Sequence, residues 1–376
     1  MERPHGVRFT GPLTPYAQGF SAELARLGFT RNSSQTQLGL AAHLSRWLEE
    51  QNLDTAGLTE AVIDRFLAAR RTAGYTAYRT PKALQPLLTY LREQGAAPPP
   101  ITVLPATVAE VLLERYHGYL LTERCLTVEA ALGYVDLLRP FVTEHSSAGP
   151  AGLARLTAGE VSAFLVTQSR RLAPKTTQRL ASALRSLLGF WHVEGVITAA
   201  LAQAVPKVAN RRPGRVDPLE PAQVQAMLAS CDRGQPAGLR DLAMLTLLAR
   251  LGLRAGEVAD LRLDDIDWRA GEVTIRGKGN RRDRLPLPAD VGEVVADYLR
   301  NGRPATALDR NVFIRIKAPH HGLTNGGVTQ AVAAAAARAG LGVIYAHRLR
   351  HSAATAMLAE GAPLAEIGRC FGTGVR

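Results

Sequence analysis

Apolar residues in the first half of the chain recur with the period of an amphipathic helix. Two segments share the spacing i, i+4, i+7 and i+8, which places four apolar side chains on one helical face. The two sets are Leu40, Leu44, Trp47 and Leu48, and then Tyr134, Leu138, Phe141 and Val142. The spacing therefore predicts two similar helices in different parts of the chain.

Two other patterns also occur twice, and in the same order. A Leu-Thr pair is followed eight positions later by a Phe-Leu pair, once from Leu58 and again from Leu156. A longer apolar pattern that ends in glycine then follows each of them. Because three patterns match in order, we interpret them as a duplicated module of about four short helices. The longer pattern comprises Ala83, Leu84, Leu87, Leu88, Tyr90 and Gly95 in one copy and Ala183, Leu184, Leu187, Leu188, Phe190 and Gly195 in the other.

Helix-breaking segments define the predicted domain boundaries. After an N-terminal extension at 1–29, the modules are predicted at 30–97 and 120–204, separated by a proline-rich linker at 98–119. A second linker, 205–217, is basic and contains prolines and a glycine, which suits a connector that follows a phosphate backbone. An ordinary exposed linker can have the same composition, so both interpretations stay open. Its candidate DNA-binding residues are Lys207, Arg211 and Arg212.

The remaining segment, 218–376, has a different pattern and is predicted as a mixed α+β domain. Two short β-type runs flank a basic, glycine-rich stretch, which predicts a hairpin in a small antiparallel sheet. The predicted helices are Pro221–Ser230, Leu239–Leu251, Val328–Ala339 and Ser352–Glu360, and the strands are Glu272–Ile275 and Arg284–Leu287, with Asn311–Ile316 as a further candidate. The whole chain is therefore predicted to be mainly α-helical.

Composition narrows the class of partner. The 376 residues carry a net charge of +12, and this surplus favours nucleic acid as the partner. The three cysteines lie far apart and show no metal-ligand spacing, which fits a reducing cytoplasm. The sequence shows no nucleotide-binding motif, signal peptide or apolar run of membrane-spanning length, so no cofactor or membrane partner is predicted.

Three basic clusters in 218–376 suggest phosphate chemistry. They contain Arg254 after a predicted helix, Lys278 at the hairpin tip, and the pair His347 and Arg350. Displacement at a phosphodiester spreads negative charge over the non-bridging oxygens, and planar guanidinium groups can bind these oxygens in pairs. A lysine or histidine can protonate the leaving oxygen. These residue types would make chemical sense together if folding brought them to one phosphate.

The three clusters resemble the signature motifs of the tyrosine recombinases, also called the phage integrase family. The stretches are Leu-Gly-Leu-Arg-Ala-Gly-Glu-Val-Ala-Asp-Leu, Gly-Lys-Gly-Asn-Arg-Arg-Asp-Arg-Leu-Pro-Leu and His-Arg-Leu-Arg-His-Ser-Ala-Ala-Thr, in the order that the family shows. The resemblance covers about 30–376 and is specific only in 239–370. It implies helical core-binding, SAM-like modules followed by a catalytic domain that breaks and rejoins double-stranded DNA.

The resemblance also implies a role for each matched residue. Arg254 and Arg350 would clamp the scissile phosphate, Lys278 would protonate the leaving 5′-oxygen, and His347 would hydrogen-bond the phosphate. Glu257 would support Arg254 rather than react. For His351, packing or such support is favoured over a direct part in the chemistry.

The end of the sequence departs from the family pattern. Thr373 stands where the family has a histidine, and the sequence shows no tyrosine after Tyr345. On this pattern we expect a chain that binds DNA but lacks the tyrosine nucleophile. An intact tail would also favour a homo-oligomer on DNA, in a protein associated with the nucleoid.

Other interpretations remain open at this point. The chain could use a tyrosine elsewhere or one from another subunit, or it could be a helical DNA-binding regulator without strand transfer. A helical-repeat scaffold is a further alternative, although it would not need the Arg, Lys and His motifs. Lys175, Arg179 and Arg185 share a predicted helix, and their spacing allows only some of them to face DNA.

Overall fold

The computed structural model contains two compact units. One combines residues 1–101 with 216–376, and the other comprises 102–215. The residues that the structure describes are 4–100, 107–147, 149–209, 217–277, 282–307 and 309–363.

Among residues 4–100, four α-helices form the first module. They are α1 (Ala17–Arg26), α2 (Arg31–Glu50), α3 (Glu60–Thr72) and α4 (Pro81–Glu93). The structure corrects the predicted extension at 1–29, because Leu13, Phe20 and Leu24 are buried in the same core as α2 to α4. The first module therefore begins well before residue 30.

The described residues of 107–209 contain five helices. They are α5 (Val108–Thr122), α6 (Val128–Ser146), α7 (Gly149–Ala154), α8 (Ala158–Ser169) and α9 (Pro174–Val193). The predicted linker at 98–119 is wrong for its second half, which lies in α5 and buries Tyr116. This helix begins with a capping box, in which Thr107 and Glu110 each accept a hydrogen bond from the other's backbone N–H.

Corresponding helices in the two modules begin and end alike. The hydroxyls of Thr59 and Thr157 each accept a hydrogen bond from the backbone N–H three residues later, which caps α3 and α8. After α4 and α9 the chain reverses at a glycine with positive φ, 66° at Gly95 and 71° at Gly195. These shared ends support the duplication that the sequence predicts.

Aromatic packing also repeats between the modules. The rings of Phe20 and Tyr90 lie 5.7 Å apart, and those of Tyr116 and Phe190 lie 5.7 Å apart. The correspondence between α2 and α6 is less direct. Their capping threonines are separated by three more residues than the apolar residues that repeat in the two helices. Three residues are close to one helical turn, so both registers bury the same face.

The C-terminal part of the first unit surrounds a buried helix. Within 217–363, as far as the structure describes it, helix α11 buries apolar side chains on several sides, among them Ala243, Leu247 and Leu248. A three-stranded antiparallel sheet has the order β1-β2-β3, and Val273 and Ile275 of β2 face the core. The elements are α10 (Pro221–Ala229), α11 (Pro236–Arg250), α12 (Ala255–Ala259), β1 (Ile266–Asp267), β2 (Glu272–Arg276), β3 (Arg282–Pro286), α13 (Ala289–Asp297), α14 (Asn325–Arg338) and α15 (Ala346–Ala359).

Two sequence predictions in this region need correction. The candidate strand Asn311–Ile316 forms only isolated bridges, to Arg262 and Gly322, although Val312, Phe313 and Ile314 are buried. Helix α15 begins at Ala346 rather than Ser352. Tyr345 occupies the N-cap position and provides no side-chain cap, so no capping residue marks this start in the sequence.

Glycine substitutions in and after α9 should have opposite effects on stability. We expect Gly195→Ala to lower the free energy of unfolding by about 1 kcal/mol, because Ala disfavours positive φ. Gly189→Ala is the matched control: it lies inside α9 with open space around the added methyl group, so helix propensity should raise stability by about 1 kcal/mol. Urea titration of the full chain measures both changes, and equal effects would contradict the assignment of Gly195 as the helix terminator.

Candidate phosphate-binding site

Arg254 lies at the turn between α11 and α12. The chain leaves α11 at Leu251 and turns through Gly252, whose φ is 62°. Arg254 then occupies the N-cap of α12, where its backbone N–H donates to Glu257 Oε2 at 2.7 Å. Its Nη1 also donates to Glu257 Oε1 at 2.5 Å. Glu257 therefore fixes both the backbone and the guanidinium group of Arg254.

Arg350 approaches the same turn from the first half of α15. Its Nη1 donates to the carbonyl oxygen of Gly252 and lies 3.7 Å from Glu257 Oε2. The Arg350 side chain is 14% exposed and that of Glu257 is 9% exposed, whereas Arg254 is 42% exposed. One buried carboxylate thus contacts two guanidinium groups, and one of these reaches the surface.

The electrostatics of this cluster favour an anion. Burial lowers the pKa of Arg350, the positive charge of Arg254 lowers it further, and Glu257 partly opposes both effects. Two guanidinium groups beside one carboxylate leave a positive charge in a partly desolvated position. An incoming phosphate would relieve the repulsion between the two arginines.

A pocket of about 290 Å³ opens beside the two arginines. His347 lies in the first turn of α15 and is exposed. Tyr345 precedes it, and the two rings are stacked with centroids 6.2 Å apart. The pocket is lined by Arg254, Ala255, Asn325, Thr329, Tyr345, Ala346, His347 and Arg350.

The sequence predictions for this site are met unevenly by the structure. Arg254, His347 and Arg350 come together, and Glu257 contacts both arginines. His351 is exposed rather than packed, and its ring lies 6.1 Å from that of His347, one turn earlier. The predicted residues Lys278 and Thr373 lie outside the described residues.

The sequence indicates neither Asn325 nor Thr329 as a site residue, and it places Tyr345 outside the family position of the nucleophile. Asn325 and Thr329 lie on the first turns of α14, and Tyr345 immediately precedes α15. None belongs to a basic cluster, so only the tertiary packing of α14 and α15 brings them to Arg254. The spacing Asn325 to Thr329 is that of one helical face, but the sequence offered nothing to connect it with the arginines.

The residues proposed to contact DNA outside the pocket fall into two groups. Lys175 and Arg179 are exposed and lie one turn apart on α9. Arg185 instead donates to the carbonyl oxygens of Val205 and Pro206, at 3.2 and 2.8 Å, so it fastens the end of its module. In the basic linker, Lys207 is exposed. The linker residues Arg211 and Arg212 lie outside the described residues.

The described residues contain neither a cluster of metal ligands nor a membrane-spanning helix. No group of three His, Cys, Asp or Glu side chains is arranged there to hold a metal ion. In the same residues, no helix is both long enough and apolar enough to cross a bilayer.

Comparison with known proteins identifies the family. One family model, described as the phage integrase family, matches residues 218–372, and another, the phage integrase N-terminal SAM-like domain, matches 113–195. The integrase/recombinase y4rA of Sinorhizobium fredii is 37% identical over 379 residues, which cover 96% of this chain and 89% of that protein. The chain therefore belongs to the phage integrase family of tyrosine recombinases, whose enzymes break and rejoin DNA strands.

More distant similarities agree with this assignment. The tyrosine recombinase XerC of Oceanobacillus iheyensis is 29% identical, over 70% of this chain and 88% of its own length. A lambda integrase dimer bound to a core site matches 70% of this chain and 93% of its own chain, with a TM-score of 0.54 and 16% identity. XerH recombinase bound to a difH substrate matches 82% of this chain and 87% of its own chain, with a TM-score of 0.54 and 19% identity. The two structural matches show a shared fold.

Removing Glu257 should destabilise the protein through its two arginines. We expect Glu257→Ala to cost about 3 kcal/mol, because Arg350 then stays buried without its carboxylate partner. Asp290→Ala is the control, since its ion pair with Arg250 is exposed and should contribute less than about 1 kcal/mol. Thermal unfolding with added sulfate completes the test: sulfate should raise the melting temperature of the Glu257 variant more than that of the control. Equal responses to sulfate would contradict an anion site at the arginines.

Proposed function

We propose that this chain binds double-stranded DNA and holds one phosphodiester between Arg254 and Arg350 during site-specific strand transfer. The convergence of these two guanidinium groups on Glu257 carries the proposal. Each guanidinium can donate two parallel hydrogen bonds, so the pair can bind the non-bridging oxygens as their charge grows. The net charge of +12 is consistent with a polyanionic partner.

Proton transfer completes the proposed reaction. Displacement breaks the bond between phosphorus and the leaving 5′-oxygen, which must gain a proton. Similarity to the family assigns this proton to Lys278, in the segment that joins β2 and β3. The position of His347 in the same pocket as the arginines supports a hydrogen bond from its ring to the phosphate. A side-chain nucleophile would retain the energy of the broken bond for rejoining.

Assembly on DNA is part of the same proposal. The lambda integrase structures with the same fold are described as a dimer on a core site and as a tetramer on a Holliday junction. XerH is described on its difH substrate before and after cleavage. We infer that this chain also acts as a homo-oligomer on duplex DNA, at the nucleoid of its cell.

The arginine clamp is tested by its effect on affinity for a nicked duplex taken from the flanks of the chain's own gene. We expect Arg254→Ala and Arg350→Ala each to weaken binding by about tenfold or more, since each removes charged hydrogen bonds to phosphate. Arg250→Ala removes the same charge from an exposed ion pair between α11 and α13 and should change affinity far less. Fluorescence anisotropy measures all three. Unchanged affinity in both clamp variants would favour a DNA-binding regulator without a phosphate clamp.

One observation favours an alternative in which this chain supplies its own tyrosine nucleophile. Tyr345 is half exposed and lines the pocket that also contains Arg254, His347 and Arg350. Its hydroxyl could therefore attack a phosphate held by the arginines and form a 3′-phosphotyrosine, with the 5′-oxygen leaving as a hydroxyl.

Adduct trapping distinguishes this candidate. If Tyr345 attacks, a suicide substrate with a nick should give a covalent protein–DNA product on a denaturing gel, and Tyr345→Phe should abolish it. Tyr298→Phe is the control, because that hydroxyl is buried and accepts a hydrogen bond from the backbone N–H of Ile314. An adduct that survives Tyr345→Phe would place the nucleophile elsewhere. If the chain binds DNA but forms no adduct, Tyr345 is rejected as the nucleophile, and the proposal of an arginine clamp stands.

A further inference from the structure

We propose that residues 71–82 of the first helical module form a second contact surface for duplex DNA, here called the α3–α4 surface. The inference rests on the proposed DNA-binding function and extends it to a module that the SAM-like family model, matched at 113–195, does not cover. The surface comprises the end of α3, the connecting loop and the start of α4. Every residue in it is exposed.

Charge is segregated in the sequence around this surface. Residues 49–64 contain acidic side chains and no basic ones, whereas 65–92 contain basic side chains and no acidic ones. Arg71, Arg79 and Lys82 contribute three exposed cations to the α3–α4 surface. Because no acidic residue lies between them in the sequence, these cations suit the phosphate backbone of DNA, where contacts gain from release of condensed counterions.

A buried arginine gives the loop a defined shape. Arg70 is 6% exposed, and its guanidinium carbon lies 4.1 Å from the ring centroid of Tyr75. Its Nη2 donates to the carbonyl oxygen of Ala77 at 3.2 Å, and its Nη1 lies 2.5 Å from His43 Nδ1. Arg70 thus supports the loop from its buried side, and the exposed Arg71 donates to the carbonyl oxygen of Arg79 at 3.4 Å across the same loop.

Two tyrosines complete the surface. Tyr75 is 46% exposed and Tyr78 is 42% exposed, between Arg71 and Arg79 in the sequence. Tyrosine hydroxyls and arginines are common donors to phosphate oxygens in protein–DNA interfaces. Large aromatic groups interleaved with cations, and free of acids, fit a nucleic-acid contact better than a solvated loop.

The second module carries the same property at the equivalent place. Where α8 is followed by α9, Arg170, Arg171, Lys175 and Arg179 are all exposed, and residues 161–193 contain no acidic side chain. Arg79 and Arg179 are separated by the same number of residues as Gly95 and Gly195, which end the corresponding helices. Arg79 lies in the loop just before α4 and Arg179 in the second turn of α9, so both copies present cations near the start of their last helix.

The test compares the salt dependence of binding to a mixed-sequence duplex of about 40 base pairs, roughly four helical turns. We expect Arg79→Ala with Lys82→Ala to reduce the slope of log affinity against log salt by about two, since two phosphate contacts are lost. Arg8→Ala with Arg31→Ala removes the same charge and should leave the slope unchanged. Arg31 starts α2, about 18 Å along the helix from His43, which contacts the braced loop.

A third variant separates this inference from the proposed function. Lys175→Ala with Arg179→Ala tests the second module under identical conditions. If that pair lowers the slope and the Arg79 and Lys82 pair does not, the α3–α4 surface is rejected and DNA binding stands. An equal loss of slope in the Arg8 and Arg31 control would show that the effect depends only on net charge, and this result would also reject the surface. If the unmodified chain fails to bind duplex, both proposals fall.

Discussion

The candidate site depends on one buried carboxylate that holds two arginines together. Two guanidinium groups repel each other, and burial makes that repulsion harder to screen. Glu257 offsets it by accepting from both the backbone and the side chain of Arg254 and by lying 3.7 Å from Arg350. The Gly252 carbonyl supplies a second acceptor for Arg350. Glu257, on the short helix α12, thus joins the turn after α11 to the start of α15. A bound phosphate would be a second anion at the same place.

The sequence predicted the parts of the fold whose signals are local. Periodic apolar residues located α2, α4, α6 and α9, and alternating runs located β2 and β3. Other elements carry no local signal, or a signal that the tertiary structure overrides. The prolines before α5 favoured the prediction of a linker there, even though Thr107 and Glu110 form a capping box at the start of the helix. The apolar run from Asn311 looked like a strand but is buried without a full β-partner.

The site could be predicted only as far as its charged motifs reached. Arg254, His347 and Arg350 have chemistry that is visible in the sequence, and the structure brings them together. Tyr345 and Asn325 have no such mark, because their place in the pocket results from how α14 and α15 pack. Arg185 is the opposite case. Its charge suggested a DNA contact, but its guanidinium group donates to backbone carbonyl oxygens of its own module.

The separation of acidic and basic segments in the first module also has a kinetic consequence. A body whose negative and positive side chains lie apart, as at the two ends of α3 with Glu60 in the first turn and Arg70 and Arg71 in the last, has an electric dipole moment in addition to its net charge. In the field of a polyanion such a body experiences a torque before it touches anything, so it turns its basic side forward during diffusion. Dissolved salt would shorten the range of that torque and slow the productive encounter, while the lifetime of a complex already formed would depend on its short-range contacts.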